Sequence, residues 1–416
     1  MSLDWARSPG ASHRALWTTV DQAISSLTNF LFSIVALKYL TLSEFGAFTV
    51  AYVTFAMSLD VQRALVGQPL TVTLSGSPEQ IRFRGGSGLG AAFSVGLLCG
   101  LVVAVVGFAL GGDVGTSLIS LALVIPGLLV QDAWRHVFFA SGLPKKALVN
   151  DSVWGGSALV AIAFLVATDN VGIPQLIFAW GVSGTLAGVA GWYQVQMTPR
   201  MTNPKHWFMS TRALGGRFLI EQLLGNGASQ VVVFGIGLIA GLEALGSFNA
   251  ARTVFGPVNI LFLGLIAFAI PEGVRLSQTD VPRFRAFIYS IAAGLSLAVS
   301  LTGASLALLP TSWGVALLPQ SWMEISPLFL PMAAVLIGES CRLAAFIGLR
   351  ALAKPKHSLR AQTLSVPLWI AGGLIGAWSG GALGAVYGFA VANVSIAALW
   401  WVEYGSVLRS PNRNTK

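Results

Sequence analysis

Apolar runs of about twenty residues follow one another along the whole chain, separated only by short polar connections. A helix of roughly twenty residues crosses the hydrocarbon core of a bilayer, and in lipid each backbone N–H and C=O has to be satisfied within the segment. One such run would equally suit a buried helix of a soluble protein; repetition down the chain does not. Only 10% of residues are charged against 55% hydrophobic, with a mean hydropathy of +0.74. A soluble domain carries roughly 25% charged residues. So few charges cannot coat a water-facing surface, and the apolar excess must face lipid.

Twelve spans are predicted, at 15–40, 44–66, 86–110, 115–140, 146–167, 172–195, 214–240, 243–270, 285–308, 326–350, 359–378 and 382–404. The expected fold class is all-α, a polytopic membrane protein of about 12 transmembrane helices in two pseudo-symmetric six-helix lobes. The polar stretch from Thr198 to Thr211 reads as the linker. It separates an N-lobe, residues 1–205, from a C-lobe, residues 206–416. The apolar run from Leu16 lacks a small-residue cleavage site, so no cleaved signal peptide is expected.

With the N terminus placed in the cytoplasm, 19 of the 25 Lys and Arg fall in inner segments and only Lys38 in an outer one. That positive-inside bias places both termini in the cytoplasm. The net charge of +9 is then a matter of topology and not of nucleic acid. Cys99 and Cys341 lie inside apolar runs, and His13, His136, His206 and His357 are scattered near loops or helix ends. No P-loop, HExxH or CxxC pattern occurs, so no metal and no cofactor is expected.

The chain also repeats itself. Residues 20–55 laid over 220–255 without a gap bring Gln22 onto Gln222, Leu42 onto Leu242 and Gly46 onto Gly246. Phe48 meets Phe248, Ala51 meets Ala251, Phe55 meets Phe255, and Asp21 falls on Glu221. An echo at a similar offset relates Asp132-x-x-Arg135 to Glu339-x-x-Arg342. Spans 1, 2 and 4 thus match spans 7, 8 and 10, a six-plus-six parallel repeat of the kind two-lobed transporters use.

Charge inside the spans collects on those same helices. Asp21, Asp60, Arg63, Asp132, Arg135, Arg217, Glu221, Arg252, Glu339 and Arg342 lie on spans 1, 2, 4, 7, 8 and 10, and Asp151 lies on span 5. An ionised group in hydrocarbon costs at least ~2.5–3.5 kcal/mol, so such residues face a wet cavity or a partner. The six matching spans are expected to line one polar cavity. Most of these charges lie towards the cytoplasmic side, with Arg252 deeper, which suits a substrate loaded from inside. Asp60/Arg63, Asp132/Arg135, Arg217/Glu221 and Glu339/Arg342 have helical spacing. Each pair reads either as an intrahelical ion pair or as a set of cavity ligands. No acidic residue stands within a turn of Arg252, which makes it a candidate anion ligand. Gln22, Asn29, Gln222, Asn226 and Gln230 add hydrogen-bonding groups on spans 1 and 7. Trp17, Trp313, Trp322, Trp400 and Trp401 read as interface anchors, while Trp134 and Trp154, beside charged positions, are placed to touch a sugar.

The polar first span followed by Leu42-Ser43-Glu44-Phe45-Gly46, and the stretch Gln131-Asp132-Ala133-Trp134-Arg135 with Asn150-Asp151, resemble the Wzx-type polysaccharide flippases. These are grouped with the MATE exporters and lipid II flippases in the MOP superfamily. The resemblance implies transport, not enzymatic catalysis. It implies movement of a polyprenyl-(pyro)phosphate-linked glycan from the inner to the outer leaflet by alternating access, for cell-envelope polysaccharide synthesis. It implies Arg63, Arg135, Arg252 and Arg342 as phosphate ligands. Asp21, Gln22, Asp60, Asp132, Asp151, Glu221, Gln222 and Glu339 become cavity-lining or ion-coupling groups. Membrane lipids and polysaccharide-assembly proteins are the other partners implied. A MATE-like antiporter of small solutes, a membrane glycosyltransferase or ligase, and a scaffold are the competing readings.

Overall fold

The computed structural model describes residues 11–74, 78–195 and 204–409, and nearly all of them are helical. Among the described residues, 11 helices are long and apolar enough to cross a membrane, and the last, Pro355–Arg409, is two helices divided at Gly380 and Gly381. The chain is a multi-pass membrane protein, with twelve spans among the described residues. We number them α1 (Ala11–Tyr39), α2 (Leu42–Thr73), α3 (Pro78–Leu110), α4 (Gly112–Ala140), α5 (Pro144–Ala167) and α6 (Ile173–Val195). Then come α7 (204–240) and α8 (242–279), where the helix Pro204–Val254 breaks at Gly241 and resumes after Phe255 as Gly256–Thr279. The last four are α9 (Val281–Ala307), α10 (Trp322–Ala351), α11 (355–379) and α12 (382–409). A short helix, Thr311–Leu317, precedes α10.

Two compact units emerge: residues 1–40 with 47–230, and residues 41–46 with 231–416. The expected linker is shorter than Thr198 to Thr211, because helix begins at Pro204. Residues 198–203 lie outside the described set. Proline suits a first helical position, where its missing N–H is not needed. The early helix is then anchored by Trp207, whose indole N–H donates to the Leu65 carbonyl at 3.2 Å. That is the carbonyl Pro69 cannot serve, lacking an N–H to return four residues back. The same stretch of α2 widens into a π turn at Arg63–Gly67, in which the Gln68 N–H reaches the Arg63 carbonyl.

In the first unit α3 and α4 run in close backbone contact. Added Cβ atoms at Gly96 and Gly100 would fall 2.6 Å from Pro126 Cα and 2.7 Å from the Ala122 carbonyl oxygen. Small residues give membrane helices this approach where lipid offers no hydrophobic drive for association. In the second unit Gly372 opposes Gly388 and Gly376 opposes Gly384 along α11 and α12. The start of α2 also belongs to this unit and is set by a capping box. The Thr41 N–H donates to Glu44 Oε2 at 2.8 Å, and the Glu44 N–H donates to Thr41 Oγ1 at 3.3 Å. Beyond it the repeat becomes physical: a Cβ on Gly46 would strike the Leu242 carbonyl, and one on Gly246 would strike the Leu42 carbonyl. Residues paired by the offset of 200 touch one another reciprocally, as across a two-fold axis.

Two helix ends extend the repeat beyond what the sequence suggested. After α4 the Leu143 N–H reaches the Phe138 carbonyl at 2.8 Å and the Gly142 N–H reaches Phe139 at 3.0 Å. After α10 the Lys354 N–H reaches Leu349 and the Ala353 N–H reaches Arg350, each at 3.1 Å. Both are Schellman ends, each followed at once by proline (Pro144, Pro355). The left-handed position holds Gly142 at φ 71° in one and Ala353 at φ 51° in the other. A Cβ in that region costs roughly 1–2 kcal/mol. Ala353→Gly is expected to raise the thermal midpoint of the detergent-purified protein, and Gly142→Ala to lower it, each by about 1 kcal/mol of stability.

Candidate functional site

The buried charge of the first unit forms one connected knot on α1, α2, α4 and α5. On α4, residues 131, 132, 135 and 136 share a face by helical spacing. Arg63 grips Asp132, with Nη2 2.7 Å from Oδ1 and Nε 3.2 Å from both carboxylate oxygens. Room for this region comes partly from Gly67, where a Cβ would lie 2.8 Å from the His136 ring. His136 Nδ1 lies 3.1 Å from the Asp132 carbonyl and 3.5 Å from its carboxylate.

Arg135 stands between two carboxylates. Its Nη2 donates to Asp21 Oδ2 at 2.8 Å, and its Nε lies 3.2 Å from Asp151 Oδ2. Gly155 lets α5 approach α1 here, since a Cβ would fall 2.7 Å from Thr28 Oγ1. Gln131 holds Asp151 from the other side, its Nε2 donating to Oδ1 at 2.8 Å. Gln131 also reaches Asn150 Oδ1 at 3.2 Å, and Asn150 donates to the Ala187 carbonyl on α6 at 2.7 Å.

The inventory is asymmetric. Asp21, Asp132 and Asp151 bring three carboxylates to the two guanidinium groups of Arg63 and Arg135. Asp21 is fully buried, and its Oδ1 has no hydrogen-bond partner among the described residues. Three carboxylates against two guanidinium groups leave one negative charge to be met by a proton, whether on a carboxylate or on His136 beside Asp132.

A second group sits on α2 and α7, also within the first unit. Asp60 accepts from Gln222 Nε2 at 2.8 Å, Asn226 Nδ2 at 3.0 Å and Gln230 Nε2 at 2.8 Å. Gln22 and Glu221 are exposed, with Gln22 reaching only Ser26 on its own helix, at 3.4 Å. In the second unit Glu339 and Arg342 form an intrahelical ion pair, with Nε to Oε2 at 2.8 Å, and Arg342 lies over the Trp400 ring at 5.6 Å. Arg252 is an exposed side chain of α8.

Of the four pairs with helical spacing, Glu339/Arg342 alone forms an ion pair on its own helix among the described residues. Arg63 pairs across helices with Asp132 in place of Asp60, and Arg135 with Asp21 and Asp151 in place of Asp132. The reason is reach: an arginine pointing into a bundle meets carboxylates of other helices before its own neighbour three residues away. Trp134 does not face an open site, being fully buried and stacked on Phe138 at 5.6 Å. Trp154 donates its N–H to the Trp180 carbonyl at 2.9 Å. Of the expected interface anchors, Trp322 and Trp400 are buried, with Trp400 donating to Ser365 Oγ at 3.1 Å. Two groups went unweighed in the sequence. His136 joins the knot, and Glu403 at the end of α12 binds His357 Nδ1 at 2.7 Å, with Arg360 Nε at 3.4 Å. Only a single acidic residue late in an apolar run signalled the latter.

This fold is that of the MATE and MurJ transporters. An inward-facing multidrug resistance MATE family transporter of the MOP superfamily matches with a TM-score of 0.72 at 12% identity, over 96% of this chain and 100% of that one. The lipid II flippase MurJ in an inward closed conformation matches with a TM-score of 0.67 at 12% identity, over 95% and 88%. A MOP superfamily transporter from Pyrococcus furiosus, described as having a binding pocket of reversed polarity, matches at 0.53 with 12% identity, over 95% of each chain. At these identities the likeness is one of fold. No protein-family model matches the sequence, and no curated protein matches it.

Removing one partner of a buried ion pair strands the other charge, at a cost of about 3–5 kcal/mol. Arg63→Ala is expected to lower the thermal midpoint sharply or to reduce membrane yield. Adding Asp132→Ala should recover a substantial part of that loss, and a double-mutant cycle on thermal midpoints measures the coupling.

Proposed function

We propose that the protein is a flippase that moves a polyprenyl-(pyro)phosphate-linked glycan from the inner to the outer leaflet by alternating access. The observation that carries this is the placement of guanidinium groups inside membrane spans, at Arg63, Arg135 and Arg342. Such groups suit phosphate oxygens, with which they make strong charge-assisted bonds at low dielectric, and they oppose a cationic drug. The shared fold with a lipid II flippase supports the same class of substrate. In this proposal Arg252 and Arg342 are phosphate ligands, Arg342 exchanging its intrahelical bond to Glu339 for the phosphate. Arg63 and Arg135 become ligands only when a carboxylate lets go.

That condition suggests the coupling. A proton taken up at Asp21 or Asp151 weakens the hold on Arg135 and frees its donors for an anion. Asp60, Asp132, Glu221, Gln22, Gln222 and Glu339 complete the polar set along the same spans. The chain works as two lobes, residues 1–205 and 206–416, in a bacterial inner membrane with both termini cytoplasmic. It serves cell-envelope polysaccharide synthesis beside polysaccharide-assembly proteins. One observation favours a second reading, a MATE-like cation-coupled antiporter of small solutes: the buried knot of the first unit is net acidic.

Reconstitution in liposomes separates the two. A polyprenyl-pyrophosphate glycan supplied in one leaflet should become accessible in the other only when the protein is present. Arg252→Ala should slow this about tenfold or more, the loss of one charge-assisted hydrogen bond. Protein-dependent exchange of a small solute against an ion gradient, with no glycan exposure, would favour the antiporter.

A further inference from the structure

The Asp60 cluster is half-buried, with Asn226 exposed and Gln230 buried, and its composition is unlike that of the buried polar groups. Among the described residues Asp60 makes no ion pair. Arg63, one turn along α2, gives its donors to Asp132. Both oxygens of Asp60 are met by primary amides only, from Gln222, Asn226 and Gln230. These three stand at i, i+4 and i+8 on one stripe of α7.

We propose that Asp60 and the side-chain amides of Gln222, Asn226 and Gln230 form a binding site for one monovalent metal cation. A carboxamide offers an oxygen as readily as an N–H, and a half-turn of its terminal torsion exchanges the two. Turning the three amides converts a cradle of donors around a carboxylate into a shell of oxygens. Asp60 supplies up to two oxygens and the amides three. Hard cations take oxygen ligands of this kind, and the site contains no sulfur or imidazole that a transition metal would prefer. The charge selects the valence. One carboxylate is neutralised by one positive charge, whereas a divalent ion would leave an uncompensated charge inside the membrane.

The position adds a consequence for α7. The amides straddle Gly225-Asn226-Gly227, the weakest helix-forming stretch of α7. Gln230 is also the last residue of the first unit before the chain continues into the second at Val231. Occupancy of the site therefore decides whether this segment of α7 is tied to α2 by three amide N–H groups or by a shared ion. The site lies apart from the Asp21–Arg135–Asp151 group, and its transport role rests on the reading of these spans as an ion-coupled path.

The test uses the full-length protein in nanodiscs, with Na+, Li+ or K+ replacing choline at constant ionic strength, and the thermal midpoint as readout. At least one cation should raise the midpoint saturably. Asp60→Asn, which keeps the shape and removes the charge, should abolish the rise. Gln230→Ala and Asn226→Ala should weaken the apparent affinity about tenfold each, and Asp151→Asn should leave it intact. No cation-dependent shift in the wild-type protein, or a shift that survives Asp60→Asn, would overturn the proposal. The measurement needs no glycan, so its failure leaves the flippase reading standing, and absence of flipping leaves the cation site standing.

Discussion

The ion pair between Arg63 and Asp132 is the contact on which the first unit most depends. It joins α2 to α4 and covers the buried carboxylate of Asp132 with a guanidinium that is one-third exposed. At low dielectric, a bidentate guanidinium–carboxylate pair is strong and also directional. Arg63 opens the π turn of α2, which sits where Pro69 interrupts the regular hydrogen-bond ladder. The irregular backbone of α2 and the buried charge are thus two aspects of one solution. The carbonyl that Pro69 leaves unserved anchors Trp207, and α7 is held to α2 by that contact and by the amides around Asp60.

The remaining charges extend this arrangement without duplicating it. Arg135 is shared by Asp21 and Asp151, and the amides of Gln131 and Asn150 pass the network on to the backbone of α6. An odd carboxylate count makes the knot sensitive to anything that supplies one positive charge. A fully balanced network would be rigid and indifferent to protons and ions. The repeat did not carry this feature into the second unit, where Glu339 and Arg342 satisfy one another on a single helix. Sequence symmetry has been retained in the backbone and abandoned in the electrostatics.

Glycine carries the backbone symmetry. Gly46 and Gly246 each admit the carbonyl of the residue that opens the opposing helix, and any larger side chain would part them. The same device, without the two-fold relation, brings α3 to α4 and α11 to α12. In a membrane this matters more than in water, because lipid chains compete on equal terms with apolar side chains and only close backbone approach adds attraction.

The sequence alone determined the apolar spans and placed buried charge correctly on α1, α2 and α4, but also on α7 and α8, where Arg217, Glu221 and Arg252 are exposed. These follow from local quantities: segment length, apolar content and the high cost of a charge in hydrocarbon. The Leu42–Gly46 turn was legible for the same reason, since Thr41 and Glu44 cap it within four residues. The partners of each charge were not legible. Arg63 lies three residues from Asp60 and sixty-nine from Asp132, and nothing in the spacing shows that the longer separation wins. Trp134 and Trp154 looked accessible in sequence but are turned into packing, because which face of an apolar helix meets protein depends on its neighbours. The unpartnered Oδ1 of Asp21 and the amide cradle of Asp60 exist only once α1, α2, α4, α5 and α7 are brought together. Tertiary structure decided them because a buried charge takes its partner from whichever helix packing places nearest.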